Sequence, residues 1–470
     1  MAGNAIHFGT SGWRGIIADD FTFGGVRTAA AAIAEHVRAR SKHPTLLVGY
    51  DTRFFSEEFA REAADILESQ GCHVLFCAGA TPTPAIAFEI LRRKVQGAIN
   101  ITASHNPAAY NGLKFSGADG GPALPEVTRD IESRVEKFAG RFLPSPEHPS
   151  DRAFESVDLR DRYFQRITEL VRFHVIADSS LAFAYDALHG CGASWLDRLL
   201  QIHKIPLHAI RTGRDALFDG SGPDPSEENL SPLKKLVQDT KSAAGLATDG
   251  DADRFGILDR DGSFVSPNHI LALLFDYLPE TRGWKLGVAR SVATTHLLDA
   301  VARHYRVRAY ETPVGFKYIG PFLERDQIAL GGEESAGLTI RGHVPEKDGV
   351  LACLLVAEMI AARRASLAEQ LQDLFRRVGR QYWPIRVNLH FAHESVSSLP
   401  SRFAKPPREL DGKSVATTNR ADGLKLIFKD DSWVLMRPSG TEPLVRIYAE
   451  ADSPAASKQL AEAARKWISQ

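Results

Sequence analysis

Residues 45–101 determine the architecture of this chain, and they read TLLVGYDTRFFSEEFAREAADILESQGCHVLFCAGATPTPAIAFEILRRKVQGAINI. Three short apolar runs, TLLVGY (45–50), HVLFCA (73–78) and GAINI (97–101), predict strands. Between them, SEEFAREAADILESQ (56–70) and the segment that opens after TPTP (81–84) repeat their apolar residues with the 3.6-residue period of a helix. The stretch is therefore predicted to fold as β-α-β-α-β.

The same order of elements recurs twice. The second copy has predicted strands at AFAYDA (182–187), LHAIR (207–211) and GLAT (245–248), and the third has them at LGVAR (286–290), VRAYE (307–311) and IALGG (328–332). Strands that alternate with helices favour parallel pairing with right-handed crossovers, and such sheets bind ligands beyond the carboxyl ends of their strands. We therefore expect functional side chains in the loop after the last strand of each copy.

The C-terminal portion has a different pattern. LKLIFK (424–429), SWVLMR (432–437) and LVRIYAE (444–450) read as strands with short connections, which predicts an antiparallel sheet closed by a helix. The predicted fold class is α/β, with three related β-α-β-α-β mixed-sheet domains followed by an α+β domain. Using the Pro-rich stretch 143–150 as the first boundary, we expect domains at 1–146, 147–258, 259–378 and 379–470.

Composition and charge exclude several classes of function. The chain has 470 residues, of which 44% are hydrophobic and 24% charged, as expected for a folded globular protein. The net charge of −1 disfavours nucleic acid and anionic membranes as partners. We see no secretory signal, and the apolar helix candidate at 351–362 is shorter than the roughly 20 residues that span a bilayer. The four cysteines lack zinc or disulfide spacing, so we expect buried thiols and a cytoplasmic protein.

The loop after the first copy reads TASHNP (102–107) and is followed by Lys114. A serine beside a histidine, Ser104 and His105, can present a nucleophilic hydroxyl near cations that stabilise a transferred phosphoryl group. The alternative is a polar turn, because Ser, Asn and Pro are common turn residues. The Gly-x-Ser-x-Gly elbow of hydrolases is absent, which disfavours acyl transfer.

The loop after the second copy reads DGDADR (249–254), with carboxylates at alternate positions. Hard oxygen ligands at this density suit Mg²⁺. The loop begins like a calcium EF-hand, but Arg254 and Arg260 stand where that motif needs Gly and Glu, so the calcium interpretation fails. The alternative is a solvated acidic turn, although three carboxylates this close repel one another unless a cation is present.

Two later loops have ligand-binding chemistry. GGEESAG (331–337) sets Glu333 and Ser335 between glycines and suits sugar hydroxyls, or else it is an acidic helix N-terminus. His343 and Lys347 follow, and either can bind phosphate or act on protons. RPSGTEP (437–443) combines a guanidinium, two hydroxyls and a flexible backbone, and Arg446 lies beyond it. That set predicts a phosphate cradle, with a hairpin loop carrying a surface arginine as the alternative.

The set TASHNP, DGDADR, GGEESAG and RPSGTEP, in this order across almost the whole chain, resembles the α-D-phosphohexomutase family of phosphoglucomutases and phosphomannomutases. The resemblance implies three related α/β domains and a TATA-binding-protein-like fourth domain. It also implies a monomer or dimer that acts on small hexose phosphates. Such an enzyme interconverts the 1- and 6-phosphates through a phosphoserine and a hexose 1,6-bisphosphate. The implied cofactors are Mg²⁺ and glucose 1,6-bisphosphate as activator.

The resemblance also assigns roles to matching positions. Ser104 would carry the phosphate and hold Mg²⁺ together with Asp249, Asp251 and Asp253. Glu333 and Ser335 would bind the sugar 3- and 4-hydroxyls. The expected phosphate- and substrate-binding residues are Arg14, in the stretch TSGWR at 10–14, Arg254, Gly315, His343, Arg437, Ser439, Gly440, Thr441 and Arg446. Lys347 or His105 is the expected general base, with Lys114 assisting.

Three positions bear on the choice of hexose. Glu334 stands where phosphoglucosamine mutases usually have Gln, and Gly337 stands where several relatives carry His. Phe316 follows Gly315, and phosphoglucomutases tend to have an aromatic residue there. The resemblance therefore predicts glucose 1-phosphate as the main substrate and mannose 1-phosphate as a slower one.

Two other functions remain open at the level of sequence. The first is a phosphatase or phosphotransferase of the haloacid dehalogenase type, in which an aspartate of DGDADR is the nucleophile. The second is a non-catalytic sensor of sugar phosphates that retains the fold.

Overall fold

The computed structural model describes residues 6–9, 12–138, 154–390, 399–438 and 444–469. The chain forms two compact units. Unit 1 comprises Met1–Pro267 and Ser335–Leu367, and unit 2 comprises Asn268–Glu334 and Ala368–Gln470. The four predicted domain boundaries remain a prediction.

The strands alternate with helices along most of the chain. The strands are β1 (Trp13–Ile16), β2 (Thr45–Tyr50), β3 (His73–Cys77), β4 (Gly97–Ile101), β5 (Tyr110–Gly117), β6 (Glu155–Val157), β7 (Phe183–Asp186), β8 (Leu207–Ile210), β9 (Ala244–Thr248), β10 (Phe255–Asp259), β11 (Gly287–Ser291), β12 (Ala309–Thr312), β13 (Ile328–Glu333), β14 (Gly337–Ile340), β15 (Trp383–His390), β16 (Glu409–Leu410), β17 (Lys413–Asn419), β18 (Leu424–Phe428), β19 (Trp433–Pro438) and β20 (Leu444–Ala451).

The helices differ widely in length. They are α1 (Phe23–Arg38), α2 (Ser56–Ser69), α3 (Thr83–Arg93), α4 (Pro125–Phe138), α5 (Arg160–Leu170), α6 (Phe173–Ser179), α7 (Leu196–Ile202), α8 (Ser231–Thr240), α9 (Pro267–Arg282), α10 (Leu297–Tyr305), α11 (Gly320–Glu324), α12 (Gly349–Arg363), α13 (Leu367–Val378), a short helix Leu399–Phe403 and a closing helix Pro454–Ser469. Short 3₁₀ turns lie at Phe218–Gly220 and Phe316–Tyr318. None of the described helices is long and apolar enough to cross a membrane.

The first sheet of unit 1 has the order β1-β5-β4-β2-β3-β6. β2 pairs in parallel with β3 and β4, and β3 pairs in parallel with β6, whereas β5 returns antiparallel to β4. The second sheet has the order β10-β9-β7-β8, again with a final antiparallel strand, β10 against β9. The predicted mixed sheets are thus confirmed. The TASHNP and DGDADR loops of unit 1 each join two adjacent antiparallel strands.

The core of the first sheet is packed with small side chains on one helix. Helix α1 begins after Thr22, whose hydroxyl accepts a hydrogen bond from the Gly25 N–H, as is typical of an N-cap. Its alanines from Ala29 to Ala34 are fully buried, and they let the helix lie close to its neighbours. All four cysteines are buried and free, as the sequence predicted.

Unit 2 contains a parallel sheet and an antiparallel one. β11 pairs in parallel with β12 and β13, as the third sequence copy predicts. The C-terminal sheet is antiparallel, with the order β15-β20-β19-β18-β17-β16, and this confirms the predicted α+β module. The closing helix buries Leu460, Ala464 and Ile468 against that sheet.

Candidate active site

Ser104 lies in the loop between β4 and β5 in a conformation that only its surroundings can hold. Its φ is 53°, in the left-handed region that costs energy for residues other than glycine. The side chain is 1% exposed, and Oγ donates a hydrogen bond of 2.7 Å to Oδ2 of Asp249. The backbone N–H donates to Oγ1 of Thr102 at 2.9 Å. The hydroxyl is therefore aimed at the aspartate loop.

Arg53 fixes the backbone of this loop. Its guanidinium is fully buried and donates to four loop carbonyls, at 2.6 Å to Ser104 and Asn106, 2.9 Å to Pro107 and 3.0 Å to Tyr110. Asp51 balances its charge at 3.2 Å. Arg53 is not among the site residues predicted from the sequence. Its place just beyond the carboxyl end of β2, a parallel strand, is the signal that could have found it.

The aspartate loop joins β9 to β10 and forms a cluster that can hold a metal ion. Carboxylate oxygens of Asp249, Asp251 and Asp253 lie within 4.8 Å of one another, and all three residues are buried. Oδ1 of Asp251 and Oδ1 of Asp253 are buried without a hydrogen-bond partner among the described residues. Burial and the two neighbouring carboxylates raise the pKa of Asp249 well above its usual value. These carboxylates repel one another, and two of their buried oxygens accept no hydrogen bond from the described residues. A divalent cation would satisfy both conditions.

Two lysines reach the same carboxylates. Lys114 Nζ donates to Oδ2 of Asp251 at 2.5 Å and to Oδ2 of Asp253 at 3.0 Å. Lys347 Nζ lies 3.2 Å from Oδ2 of Asp253 and donates to Glu346 at 2.5 Å. Burial alone would lower the pKa of Lys114, but Asp251 and Asp253 outweigh burial and raise it. Burial raises the pKa of Asp253, but Lys114, Lys347 and Arg254 outweigh burial and hold it well below its usual value. Lys114 is therefore protonated and Asp253 ionised.

Gly337 provides the space for Lys347. A Cβ at Gly337 would lie 2.2 Å from Cδ and 2.6 Å from Cγ of Lys347, far inside van der Waals contact. Any larger residue would displace the stem of the lysine. A glycine is therefore required at position 337 to leave room for the Lys347 side chain.

The serine loop also has two arginines and a histidine around it. Arg14 and Arg254 are cations, and His105 is a neutral ring. Arg14 Nη1 donates to Oδ1 of Asn106 at 2.5 Å, and burial together with Arg254 lowers its pKa to about 10. Burial, Arg254 and Arg14 lower the pKa of His105 well below its usual value, so the ring is neutral near pH 7. Its Nδ1 lies 3.5 Å from Ser104 Oγ. The arrangement combines two cations for an anionic group with a neutral ring that can accept a proton.

His343 pairs with a carboxylate outside the three-aspartate cluster. Its side chain is fully buried, with Nε2 2.7 Å from Oδ2 of Asp348. The Tyr163 hydroxyl lies 2.9 and 2.7 Å from the two oxygens of the same carboxylate, which also caps α12 by accepting from the Leu351 N–H. The structure therefore brings His343 to the N-cap of α12, and its substrate-binding role remains a prediction.

Glu333 ends β13 in unit 2. Glu334 and the half-buried Ser335 follow in the turn before β14. Oε1 of Glu333 accepts the N–H of Gly315 at 2.7 Å, and Gly315 has a φ of 131° that favours glycine. Glu334 accepts from the hydroxyls of Ser291 at 2.7 Å and Thr294 at 3.2 Å. Phe316 is 3% exposed and packs in a hydrophobic cluster with Ile319. Its side chain belongs to the core of this unit.

Arg437 and Arg446 are directly opposite each other on β19 and β20. Like charges in that position destabilise a sheet unless an anion compensates them. Arg437 Nε lies 2.8 Å from Oδ2 of Asp422, and this carboxylate outweighs the effect of burial and raises the pKa of Arg437. Two adjacent guanidinium groups, those of Arg437 and Arg446, can together bind a phosphate group. Ser439, Gly440 and Thr441, like Thr10 and Ser11, lie outside the described residues.

Comparisons with known proteins cover all parts of the chain. Four family models match: phosphoglucomutase/phosphomannomutase α/β/α domains I, II and III at residues 5–140, 161–262 and 266–378, and the phosphoglucomutase/phosphomannomutase C-terminal domain at 396–466. A phosphoglucomutase/phosphomannomutase of Thermococcus kodakarensis is 29% identical over 97% of this chain and 96% of its own. A protein named probable phosphoglucosamine mutase, from Methanothermobacter thermautotrophicus, is 31% identical over 98% of this chain and 97% of its own.

Solved structures of phosphoglucomutases and phosphomannomutases are similar to this chain over almost its whole length. A crystal structure from Thermus thermophilus, provisionally assigned as a phosphomannomutase, is 33% identical, covers all of both chains and superposes with a TM-score of 0.86. A phosphoglucomutase from Paramecium shares the fold at 23% identity, with a TM-score of 0.83 over 99% of this chain and 94% of that one.

Proposed function

Because the chain belongs to the phosphoglucomutase/phosphomannomutase family of mutase isomerases, we propose that it interconverts hexose 1-phosphates and 6-phosphates through a phosphorylated Ser104. Glucose 1-phosphate is the preferred substrate and mannose 1-phosphate a slower one. The observation that carries the proposal is the Ser104 hydroxyl, buried and 2.7 Å from Asp249 in a cluster of three aspartates.

Phosphoryl transfer needs an aligned donor and neutralised charge. The sugar hydroxyl attacks the phosphorus of phosphoserine, the bond from phosphorus to Ser104 Oγ breaks, and the hydroxyl proton passes to a base. The bisphosphate then returns its other phosphate to Ser104. Arg14, Lys114 and Arg254 would stabilise the equatorial oxygens as cations. A neutral His105, 3.5 Å from Oγ, supports a role as proton acceptor.

The aspartate cluster supports Mg²⁺ as the cofactor. Asp249, Asp251 and Asp253 would hold it with an oxygen on Ser104, and Oδ1 of Asp251 and Asp253 lack other partners among the described residues. When bound, Mg²⁺ supplies charge neutralisation at the transferred phosphoryl group. Lys114 and Lys347 act in the same region as fixed positive charges.

Glu333 and Ser335 would accept the sugar hydroxyls, and Arg437 with Arg446 would bind the phosphate that is not reacting. The intermediate is glucose 1,6-bisphosphate, which is also the expected activator. The preference for glucose over glucosamine draws on Glu334, which is a carboxylate and not the amide usual in phosphoglucosamine mutases, and which accepts from Ser291 and Thr294. Because Phe316 is buried, its contribution would come through the shape of the loop at Gly315.

The test is ³¹P NMR of the enzyme with Mg²⁺ and a trace of glucose 1,6-bisphosphate. Glucose, mannose and glucosamine 1-phosphates are offered in parallel, with Ser104→Ala as the control. We expect the 6-phosphate to form fastest from glucose 1-phosphate and not at all with the variant. Release of inorganic phosphate without 6-phosphate would instead identify a phosphatase. Substrate binding without turnover would identify a sensor.

A further inference from the structure

Three side chains at or beside the turn between β17 and β18 form hydrogen bonds with the end of β12 and the residues just after it. They are spaced three residues apart in the sequence. We call residues 419–425 the linking turn. Asn419 Nδ2 donates to Oε1 of Glu311 at 2.5 Å. Asp422 Oδ2 accepts the Val314 N–H at 3.1 Å, and Lys425 Nζ donates to Oε2 of Glu311 at 2.9 Å. The C-terminal sheet is thus tied to the loop that contains Gly315, and all these residues belong to unit 2.

Asp422 also contacts the arginine of the phosphate loop. The oxygen that accepts from Val314, Oδ2, lies 2.8 Å from Nε of Arg437. The residue after Val314 is Gly315, whose N–H donates to Glu333 at 2.7 Å. A continuous series of polar contacts therefore runs from Arg437 through Asp422 to the carboxylate assigned to the sugar hydroxyls.

The backbone of the linking turn is fixed against the strand that carries Arg437. Gly423 has a φ of +93°, and a Cβ there would lie 2.5 Å from the Met436 carbonyl oxygen and 3.0 Å from Cα of Arg437. Only glycine fits that approach. The Ala421 N–H donates to Oδ1 of Asn419 at 2.7 Å and closes the turn. The Asp422 carboxylate is therefore placed by a rigid segment.

The charges of Arg437 and Arg446 explain why a carboxylate at position 422 is useful. Arg437 faces Arg446 across the two strands, so the two guanidinium groups repel each other. Asp422 offsets part of that repulsion. A guanidinium has five N–H donors, so a contact at Nε does not exhaust its capacity to bind a phosphate through two N–H groups.

We infer that Asp422 is a positioning residue for hexose phosphates: it orients Arg437 and fixes its separation from the Gly315–Glu333 loop, so that the phosphate and the sugar hydroxyls of one ligand are bound together. This inference rests on the proposed function, because Arg437 and Glu333 take their roles from it. Asp422 acts through Arg437 and need not touch the ligand.

The test compares D422N with a matched control, D430N, by isothermal titration calorimetry with glucose 1-phosphate and by steady-state kinetics. Asp430 lies in the turn between β18 and β19, where its carboxylate pairs with Lys413 and accepts a hydrogen bond from the Ser432 hydroxyl. The amide of D422N can still accept from Val314, but it loses the charge that holds Arg437. We expect Kd and KM to rise about tenfold with kcat within about threefold, the pattern of lost ground-state binding. D430N should match the wild type.

Two further variants separate positioning from a general loss of structure. D422E keeps the charge and should retain more affinity than D422N. In an Arg437→Ala background, D422N should have no additional effect on Kd, because a residue that acts through Arg437 has nothing left to orient. Melting temperatures measured in parallel show whether each variant is folded.

The outcomes distinguish this inference from the proposed function. If the wild type makes 6-phosphate but D422N binds glucose 1-phosphate as D430N does, the inference is wrong and the proposed function stands. If the wild type binds the ligand without converting it while D422N weakens binding, the proposed function is wrong and the inference stands. Equal affinities of D422E and D422N, or additive effects with Arg437→Ala, would also overturn the inference.

Discussion

The Oγ atom of Ser104 and the Oδ2 atom of Asp249 lie 2.7 Å apart although 145 positions separate them in the chain. Each residue stands at the same place in its own sheet, in the loop that leaves the last parallel strand and returns as an antiparallel one. The fold therefore joins a hydroxyl to a cluster of three aspartates by repeating one local arrangement. The chemistry depends on both loops being held rigidly.

Replacing Ser104 with alanine should abolish the mutase reaction. The variant lacks the oxygen that accepts and returns the phosphoryl group, so we expect kcat to fall on the order of a thousandfold or more. Mass spectrometry of peptides from the wild-type enzyme should locate phosphate on Ser104. Stable phosphate on an aspartate of the 249–253 loop would contradict this prediction and favour the phosphatase mechanism.

Arg53→Lys should separate positioning of the serine from overall folding. A lysine cannot donate to all four loop carbonyls that Arg53 binds, so Ser104 should leave its left-handed conformation. We expect kcat to fall about a hundredfold, as for a small misplacement of a reacting group. Unfolding should be easier by about 2–3 kcal/mol, because buried carbonyls lose donors.

The control for this variant is Arg61→Lys, at a surface arginine that pairs with Glu57 at 2.8 Å. It should leave both kcat and the free energy of unfolding unchanged. If Arg53→Lys lowered the melting temperature but kept the wild-type kcat below the transition, Arg53 would have a structural role only.

Mg²⁺ should stabilise the folded enzyme through the aspartate cluster. A ligand that binds only the folded state at a hundred times its Kd adds about 2.7 kcal/mol, so the melting temperature should rise with Mg²⁺ and fall again with EDTA. Asp251→Asn should remove most of this rise. Asp215→Asn, in the separate His189–Asp215–Asp219 group, should preserve it. An equal response in both variants would show that the cation binds elsewhere.

The strands and the motif loops could be predicted from the sequence because both are local properties. TLLVGY and GAINI are observed as β2 and β4, and the three aspartates follow one strand directly. The antiparallel return strands β5 (YNGLKFSG) and β10 (FGILD) were not predicted, since the sequence of a strand does not give its direction. Their pairing is decided by the neighbouring strand.

The partners of the site residues could not be predicted, because they depend on contacts distant in sequence. Asp422 approaches Arg437 only through the hairpin of β17 and β18, and Arg53 finds its carbonyls more than fifty residues later. The pairing of His343 with Asp348 at a helix cap and the burial of Phe316 are likewise tertiary features that the sequence does not contain. The roles predicted for these two residues stay predictions.

Lys425→Met should change how stability depends on pH. Burial, with Arg290, lowers the pKa of Lys425 to about 8, whereas an unfolded lysine titrates near 10.4. Between these values the unfolded state binds more protons, so this group makes the folded state more stable as pH rises. The difference in free energy of unfolding between wild type and variant should grow by about 2–3 kcal/mol from pH 7 to pH 10. Urea titrations at several pH values measure it, and a constant difference would contradict the prediction.

Arg437→Ala should weaken hexose phosphate use strongly while leaving the fold nearly intact. The variant removes one of two opposed guanidinium groups, so the repulsion with Arg446 disappears together with the phosphate contact. Asp422, whose side chain is 23% exposed, can be solvated when its partner is lost. We expect kcat/KM for glucose 1-phosphate to fall about a hundredfold, the size of a lost charge-assisted contact of about 3 kcal/mol. The melting temperature should stay within about 3 °C of the wild type, since a change of 1 kcal/mol shifts it by only about 2–4 °C. A large loss of melting temperature with unchanged kcat/KM would assign Arg437 to the sheet instead of the substrate.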